Sequence, residues 1–260
     1  MKHNNRIIKY YQYQENGFHY SETEVIEEVS VQLNVNGDDW LTFMCTPKKL
    51  EELAIGFLFN EGIIDSANDI ESVRLCSSGE IVDVWLNKSA AKPANWSRTS
   101  GCTGGTTTID SEELIEKFDP AKINGPLIKP NSVTSLVEML FESQELYRKA
   151  GGVHTSALCN LKDICVSMED IGRHNTLDKI AGTCLIKDIK LNKPIIVTTG
   201  RISSEMLQKS KRLGASIVVS RTSPTSLSIR MAESFGITLI GYARRKHFRL
   251  YTHPERVVMK

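Results

Sequence analysis

The chain has 260 residues, of which 40% are hydrophobic and 24% charged, with 32 Lys and Arg against 31 Asp and Glu. That length buries a sizeable core and suits one domain of about 150 residues with a smaller companion. The net charge of +1 supplies no field to steer nucleic acid or a membrane surface to the protein, and no apolar run reaches the ~20 residues that span a bilayer.

The start of the chain, Met1 to Arg6 followed by Ile7-Ile8-Lys9, lacks the apolar stretch of a secretory signal. Six cysteines without paired spacing, and no Cys-x-x-Cys, do not read as a disulfide framework. A cytoplasmic protein with reduced thiols is expected. No motif supplies the four converging ligands of a structural zinc site, so no zinc is expected.

Glu24 to Asn34 alternates apolar and polar residues and predicts a strand. Asn36-Gly37 signals a hairpin turn, and Trp40 to Cys45 reads as the next strand. Thr46 is placed to cap a helix that opens at Pro47 and runs through Phe59, with Gly62 just past its end. Ile70–Leu75 and Ile81–Leu86 read as two more strands around Ser77-Ser78-Gly79. From Asn87 to Thr108 the residues are small and polar with little periodicity, a length uncommon for a structureless connection. These features define a smaller sheet-rich α+β unit, residues 1–108.

Within that stretch lies Ser100-Gly101-Cys102-Thr103-Gly104-Gly105. Glycines leave backbone N–H groups open to water or an anion, so a thiol set among them is reachable. The other cysteines, Cys45, Cys76, Cys159, Cys165 and Cys184, stand in or beside apolar runs, as structural cysteines do. Cys102 is therefore the candidate nucleophile.

Residues 109–260 alternate. Ser132 to Lys149 is amphipathic and helical. Gly151-Gly152 precedes His154 and an apolar stretch that reads as a helix. Ile164–Ser167, Pro194–Thr198, Ser216–Ser220 and Ile237–Ile240 are strand-like, and they are separated by helical stretches at 176–185, 203–213 and 225–235. Buried β-branched runs between short helices imply a doubly covered sheet with parallel crossovers.

Ligands of such sheets bind beyond the carboxyl ends of strands, where several polar clusters fall. Glu169-Asp170-Ile171-Gly172-Arg173-His174-Asn175 can bind a polar ligand, or can be a helix start capped by Asp170 with Arg173 paired to an acid. Thr199-Gly200-Arg201-Ile202-Ser203-Ser204-Glu205 can be an anion site at a helix start, or a capping box. Ser220 to Ser226 extends the same rim. Tyr242-Ala243-Arg244-Arg245-Lys246-His247 carries cations and an aromatic ring suited to a pyrophosphate and a stacked base; a solvated basic turn is the plainer alternative.

Together, Glu61-Gly62-Ile63-Ile64, Gly151-Gly152-Val153-His154, Glu169 to Asn175 with Asp178-Lys179, Gly200 to Glu205, and Gly236 to Tyr242 resemble the FdhD family of formate dehydrogenase accessory proteins. The resemblance implies a cytidine-deaminase-like three-layer α/β/α domain with a smaller N-terminal α+β domain, working as a homodimer. It implies a sulfur carrier that takes sulfur from a cysteine desulfurase as a persulfide. The acceptor would be the molybdenum or tungsten bis-pyranopterin guanine dinucleotide cofactor of formate dehydrogenase. By the same resemblance Cys102 carries the sulfur, Tyr242, Ala243, Arg244, Arg245, Lys246 and His247 hold the cofactor, and Arg173, His174, Gly200 and Arg201 contact it. Many members have Cys-x-x-Cys in this loop; here Cys102 stands without the second thiol, so no neighbouring cysteine resolves the persulfide. Two other readings remain at this point: a chaperone that binds the cofactor with Cys102 incidental, and a nucleotide hydrolase built on Glu169, Asp170 and His174. The missing Pro-Cys-x-x-Cys and His-x-Glu speak against deamination.

Overall fold

The hairpin signal Asn36-Gly37 closes as expected. Both residues adopt left-handed backbone, φ 52° and 90°, joining β3 (Val29–Val35) to β4 (Asp38–Cys45). The computed structural model describes residues 5–93, 97–98, 106–107 and 125–258. Cys102 and the expected boundary at 108/109 lie outside the described residues.

Before this hairpin comes a two-stranded ribbon that the alternation did not reveal, β1 (Asn5–Gln14) against β2 (Gly17–Ile26). The strand expected over Glu24–Asn34 is thus two strands. Its first residues pair in the ribbon, and its later ones pair with β4 and β6 (Ile81–Leu86). With β5 (Ile70–Leu75) they make a four-stranded sheet in the order β4-β3-β6-β5. Val31, Leu33, Val82 and Val84 are buried on it against α1 (Leu50–Asn60). Thr46 does not cap α1. The helix starts four residues later behind Lys49, at φ 60°, because the Thr46 hydroxyl is spent on Asp170. Two short strands, β7 (Ser97–Arg98) and β8 (Thr106–Thr107), pair with each other.

The second sheet has the order β10-β9-β11-β12-β13-β14. Its strands are β9 (His154–Cys159), β10 (Ile164–Asp170), β11 (Ile195–Thr198), β12 (Ile217–Ser220), β13 (Thr238–Arg244) and β14 (His247–Leu250). The parallel reading holds for β11, β12 and β13 alone; β10, β9 and β14 join in antiparallel pairs. The stretch after Gly151-Gly152 is a strand and not a helix. The helix expected over 132–149 is two, α2 (Pro130–Glu142) and α3 (Glu145–Ala150). They part because the Glu169 carboxylate accepts the N–H groups of Glu145, Leu146 and Tyr147 at 2.9, 2.8 and 3.0 Å, which starts a new helix there.

Alternation along the strands sends side chains to two cores. Ala157, Ile195, Val197, Ile217 and Val219 pack under α2. Leu158, Ile196, Val218 and Leu239 pack under α4 (Arg173–Ile186), α5 (Ser204–Arg212) and α6 (Ser226–Ser234). The result is a mixed α/β protein with helices on both faces of the larger sheet. Among the described residues, no helix is long and apolar enough to cross a membrane.

The two sheets meet through α1 and α4, which cross at two glycines. A Cβ on Gly56 would stand 1.7 Å from the Asp178 carbonyl oxygen, and one on Gly182 would stand 1.9 Å from that of Glu52. Only hydrogens fit between these backbones.

Candidate functional site

The parallel run fixes where the site lies. β11, β12 and β13 end side by side at one edge of the sheet, so Thr198–Arg201, Ser220–Thr222 and the β13–β14 turn form one rim. Asp170 ends β10 at the same edge, and α4 begins three residues later with Arg173 and His174.

Asp170 is the anchor of that corner. Its carboxylate is fully buried and accepts from the Thr46 N–H and hydroxyl at 3.1 and 2.9 Å, the Gly172 N–H at 2.8 Å and the Asn175 amide at 2.8 Å. Lys179 completes the set at 2.5 Å. Asn175 also donates to the Met44 carbonyl at 2.9 Å. These bonds tie the start of α4 to the end of β4, so Asp170 and Asn175 position the corner rather than contact a ligand. Removing one partner of a buried pair leaves a charge unmatched. Lys179→Met is expected to cost about 3–5 kcal/mol, seen as a lower urea midpoint at unchanged slope. An unshifted midpoint contradicts the anchoring role.

A second buried network lies one turn further along. Lys209 holds the Asp178 carboxylate at 2.7 and 2.8 Å and stands 3.7 Å from Glu205 and 4.0 Å from Glu61. Burial works against its charge, but Asp178, Glu205 and Glu61 outweigh it and hold the ammonium protonated far up the scale. His174 neighbours this cation. Its Nε2 is 3.2 Å from the Ser203 hydroxyl and 3.5 Å from Glu205. Burial first, then Lys209, Arg173, His154 and Arg201, push its pKa well below the usual imidazole range. Glu205 cannot reverse this because Lys209 already shares it. The ring is neutral at pH 7, and Nδ1 is buried with no hydrogen-bond partner. His154, opposite Asp170 in the β9–β10 pair, is lowered by burial and by Arg173.

Arg173 and His174 expose only 4% and 3% of their surface. Gly200 makes room for Arg173: a Cβ there would stand 3.0 Å from Arg173 Cβ and 3.2 Å from its Cδ. Behind them is a hydroxyl set, Ser156 to Thr176 at 2.6 Å and to Thr198 at 2.8 Å. Ser203 caps α5 by accepting the Met206 N–H, as one of its two sequence readings allowed. Arg201 is exposed on the rim.

The basic turn sits at the outer part of this rim. Tyr242 has φ 52°, unusual for a bulky residue, and donates its N–H to the Thr222 carbonyl at 2.9 Å. Gly241 lets the chain press onto the end of β12, where a Cβ would meet Tyr251, Pro224 and Thr222 at 2.9, 3.0 and 3.1 Å. The pairing register slips between Gly241 and Arg244. Backbone strain held so firmly is a mark of functional positions. Arg249 stacks 4.2 Å from the Tyr242 ring centre. Arg244, Arg245, Lys246 and His247 are exposed, Arg245 standing 3.8 Å from Glu138. Ala243 differs: it is wholly buried under α2 and offers no surface to a ligand. The rim thus joins four exposed residues of this turn to Arg201 and Arg221, with Arg173 and His174 beneath.

The described cysteines divide sharply. Burial pushes the thiols of Cys45 and Cys159 up to about 12 and that of Cys184 up to about 11. Cys76, placed with the structural group by its flanking residues, behaves otherwise. Its Sγ lies 3.2 Å from the Ser78 hydroxyl and accepts the N–H groups of Glu80 and Ile81 at 3.2 and 3.1 Å, and its pKa is lowered, first by Ser78 and then by these amides. The Ser77-Ser78-Gly79 turn was the available signal for it. Cys165 is exposed at a bulge in β10.

The chain is thus a mixed α/β protein whose parallel strand ends gather arginines around a strained basic turn. Comparison with known proteins gives the family: a model of the FdhD/NarQ family matches residues 26–258, and the chain belongs to it. It is 37% identical over 256 residues to the sulfur carrier protein FdhD of Bacillus pumilus, covering 97% of this chain and 96% of that one. It is 35% identical to the protein of that name from Bacillus subtilis, covering 91% of each. Among solved structures, a putative formate dehydrogenase accessory protein from Desulfotalea psychrophila superposes with a TM-score of 0.79 at 28% identity, covering 98% of this chain and all of that one.

Proposed function

We propose that this protein is a sulfur carrier serving formate dehydrogenase. Cys102 accepts sulfur from a cysteine desulfurase and passes it to a bis-pyranopterin guanine dinucleotide cofactor of molybdenum or tungsten, held as substrate at the rim. The observation that carries the reading is the family match over residues 26–258, with relatives that bear the name sulfur carrier protein. In the first step the Cys102 thiolate attacks the outer sulfur of the desulfurase persulfide. A new S–S bond forms on Cys102, and the desulfurase cysteine leaves as its thiolate. In the second step the S–S bond on Cys102 breaks with two electrons and a proton supplied by the acceptor, a reduced metal centre or an external thiol; the outer sulfur leaves at the sulfide level and the inner sulfur returns to the Cys102 thiol. No second cysteine is needed.

The cations of the rim suit the pyrophosphate of the cofactor, and the Tyr242 ring suits its guanine. The hydrolase reading loses its parts: Glu169 is engaged by the start of α3 and Asp170 by Thr46, Gly172, Asn175 and Lys179, so neither carboxylate is free to act as a base. Helices on both faces of the sheet support a cytidine-deaminase-like larger domain, with residues 1–108 as the smaller one, and we read the working form as a cytoplasmic homodimer. Arg244→Ala/Arg245→Ala is expected to weaken GDP binding at least about tenfold. The same variant should lower activation of the client enzyme while still loading sulfur on Cys102. A variant that binds GDP and activates like the wild type contradicts the reading.

A further inference from the structure

At the end of the larger sheet opposite the rim, a cavity of about 390 Å³ opens beside Pro194, just before β11. The last turns of α1, α4 and α5 line it with Phe59, Leu185 and Arg212. Leu158, Ala181, Ile189, Leu191 and Leu213 make most of the remaining wall apolar. Small-molecule sites span roughly 300–1,000 Å³ and favour clefts between structural units, as here. The charged groups of the wall are Asp65, Asp188, Lys190 and Arg212, and they pair with one another. Asp188 holds Lys190 at 2.7 Å. Arg212 donates from Nε to the Phe59 carbonyl at 3.1 Å, and from Nη2 to the Ile64 carbonyl at 3.1 Å and to Asp65 at 2.5 Å. Its guanidinium also stacks 4.8 Å from the Phe59 ring centre. These bonds fix the guanidinium and leave Nη1 as a donor without a partner among the described residues.

We propose that this cavity is a second binding site, separate from the rim, for an uncharged aromatic molecule that carries one hydrogen-bond acceptor such as a carbonyl. The ring lies on the leucines and against Phe59, and the acceptor takes the proton of Arg212 Nη1. Three features select this class. The wall is apolar, so burying a ring there releases water from both surfaces. An anion meets Asp65 and Asp188 beside the one open donor, and a cation meets Arg212 and Lys190, so neither sign of net charge is favoured. The donor is held by three other bonds and a stacked ring, so it is preorganised and little is lost in ordering it. Nucleotide phosphates find no open cationic cluster here, unlike at the rim, so the two sites take different ligands.

Acetophenone, an aromatic ring with one carbonyl, is the probe, titrated into the full chain and followed by NMR. Ethylbenzene, which keeps the shape and lacks the acceptor, is its control. The wild type is expected to bind acetophenone at least about tenfold more tightly than ethylbenzene, the effect of one hydrogen bond to a charged donor. Arg212→Lys should erase that preference and still bind ethylbenzene, because the wall is intact and only the fixed fork is lost. Leu213→Trp fills the half-buried mouth and should exclude both compounds while GDP binding and Tm stay as in the wild type. Cys184 also lines the cavity, its thiol pushed by burial up to about 11, and acetophenone should slow its modification by N-ethylmaleimide, weighed on the peptide that carries it. No binding of acetophenone by the wild type, equal binding of ethylbenzene, or a Leu213→Trp variant that binds like the wild type overturns the proposal. So does a Leu213→Trp variant that loses client activation when the wild type ignores the probe, since the cavity would then receive a side chain of a protein partner. Sulfur on Cys102, weighed in the same samples, reports separately on the carrier reading.

Discussion

Cys102→Ala is expected to reduce activation of a formate dehydrogenase client at least about 100-fold, to the level without the protein, while GDP binding stays within about twofold of wild type. Loss of a nucleophile removes a covalent step outright, whereas the rim is built from other residues. Cys45 and Cys159 are poor substitutes, because thiols buried in apolar cores and titrating near 12 give almost no thiolate at neutral pH. Cys184, near 11, is little better. Cys76 is the serious rival, since amide and hydroxyl donors already lower its pKa, so Cys76→Ser belongs in the same experiment and should activate like the wild type. Full activation by Cys102→Ala would favour the cofactor chaperone. Activation lost with Cys76 alone would move the carrier to the β5–β6 turn.

Gly56→Ala and Gly182→Ala are each expected to destabilise the protein by at least about 3 kcal/mol, despite the ~1 kcal/mol that alanine gains over glycine in a helix interior. The added carbon meets backbone at 1.7 or 1.9 Å, and a backbone carbonyl cannot turn aside as a side chain end can. The helices must separate, and α4 carries Arg173, His174, Asp178 and Lys179 with it. The double variant should cost less than the sum, since helices already pushed apart have room for the second carbon. For a chain of this size the shift in Tm is about 6–12 °C per single variant. An unchanged Tm for either would show that the crossing is not close-packed.

The elements most legible in the sequence were those whose local chemistry and burial agree. Asn36-Gly37, the strands at 70–75, 81–86, 195–198 and 217–220, and the helices around 204–212 and 226–234 all stand close to their expected places. Errors arose where a distant partner decides. Thr46 reads as a cap until Asp170, 124 residues away, takes its hydroxyl. Residues 132–149 read as one helix until Glu169 supplies a start for a second. β9 read as helical because its apolar run does not alternate: it lies between β10 and β11, buried on both faces, and periodicity cannot tell such a strand from a buried helix.

The ribbon was missed because its aromatic residues face outward, and residue patterns are read on the assumption that apolar side chains turn inward. At the candidate site the motif string from Glu169 to Asn175 was visible, but not its division of labour. Glu169, Asp170 and Asn175 hold helices in place, and Arg173 and His174 lie buried beneath the rim. The lowered pKa of Cys76 follows from the Ser78 hydroxyl and then from amide directions in a tight turn, which residue types alone do not encode.

The central claim is that one thiol, Cys102, carries the sulfur. The direct test is intact-protein mass spectrometry after incubation with a cysteine desulfurase and cysteine, on wild type, Cys102→Ala and Cys76→Ser. The account predicts one added, alkylatable sulfur on wild type and Cys76→Ser and none on Cys102→Ala. Equal loading of Cys102→Ala, or no loading of the wild type, would contradict it.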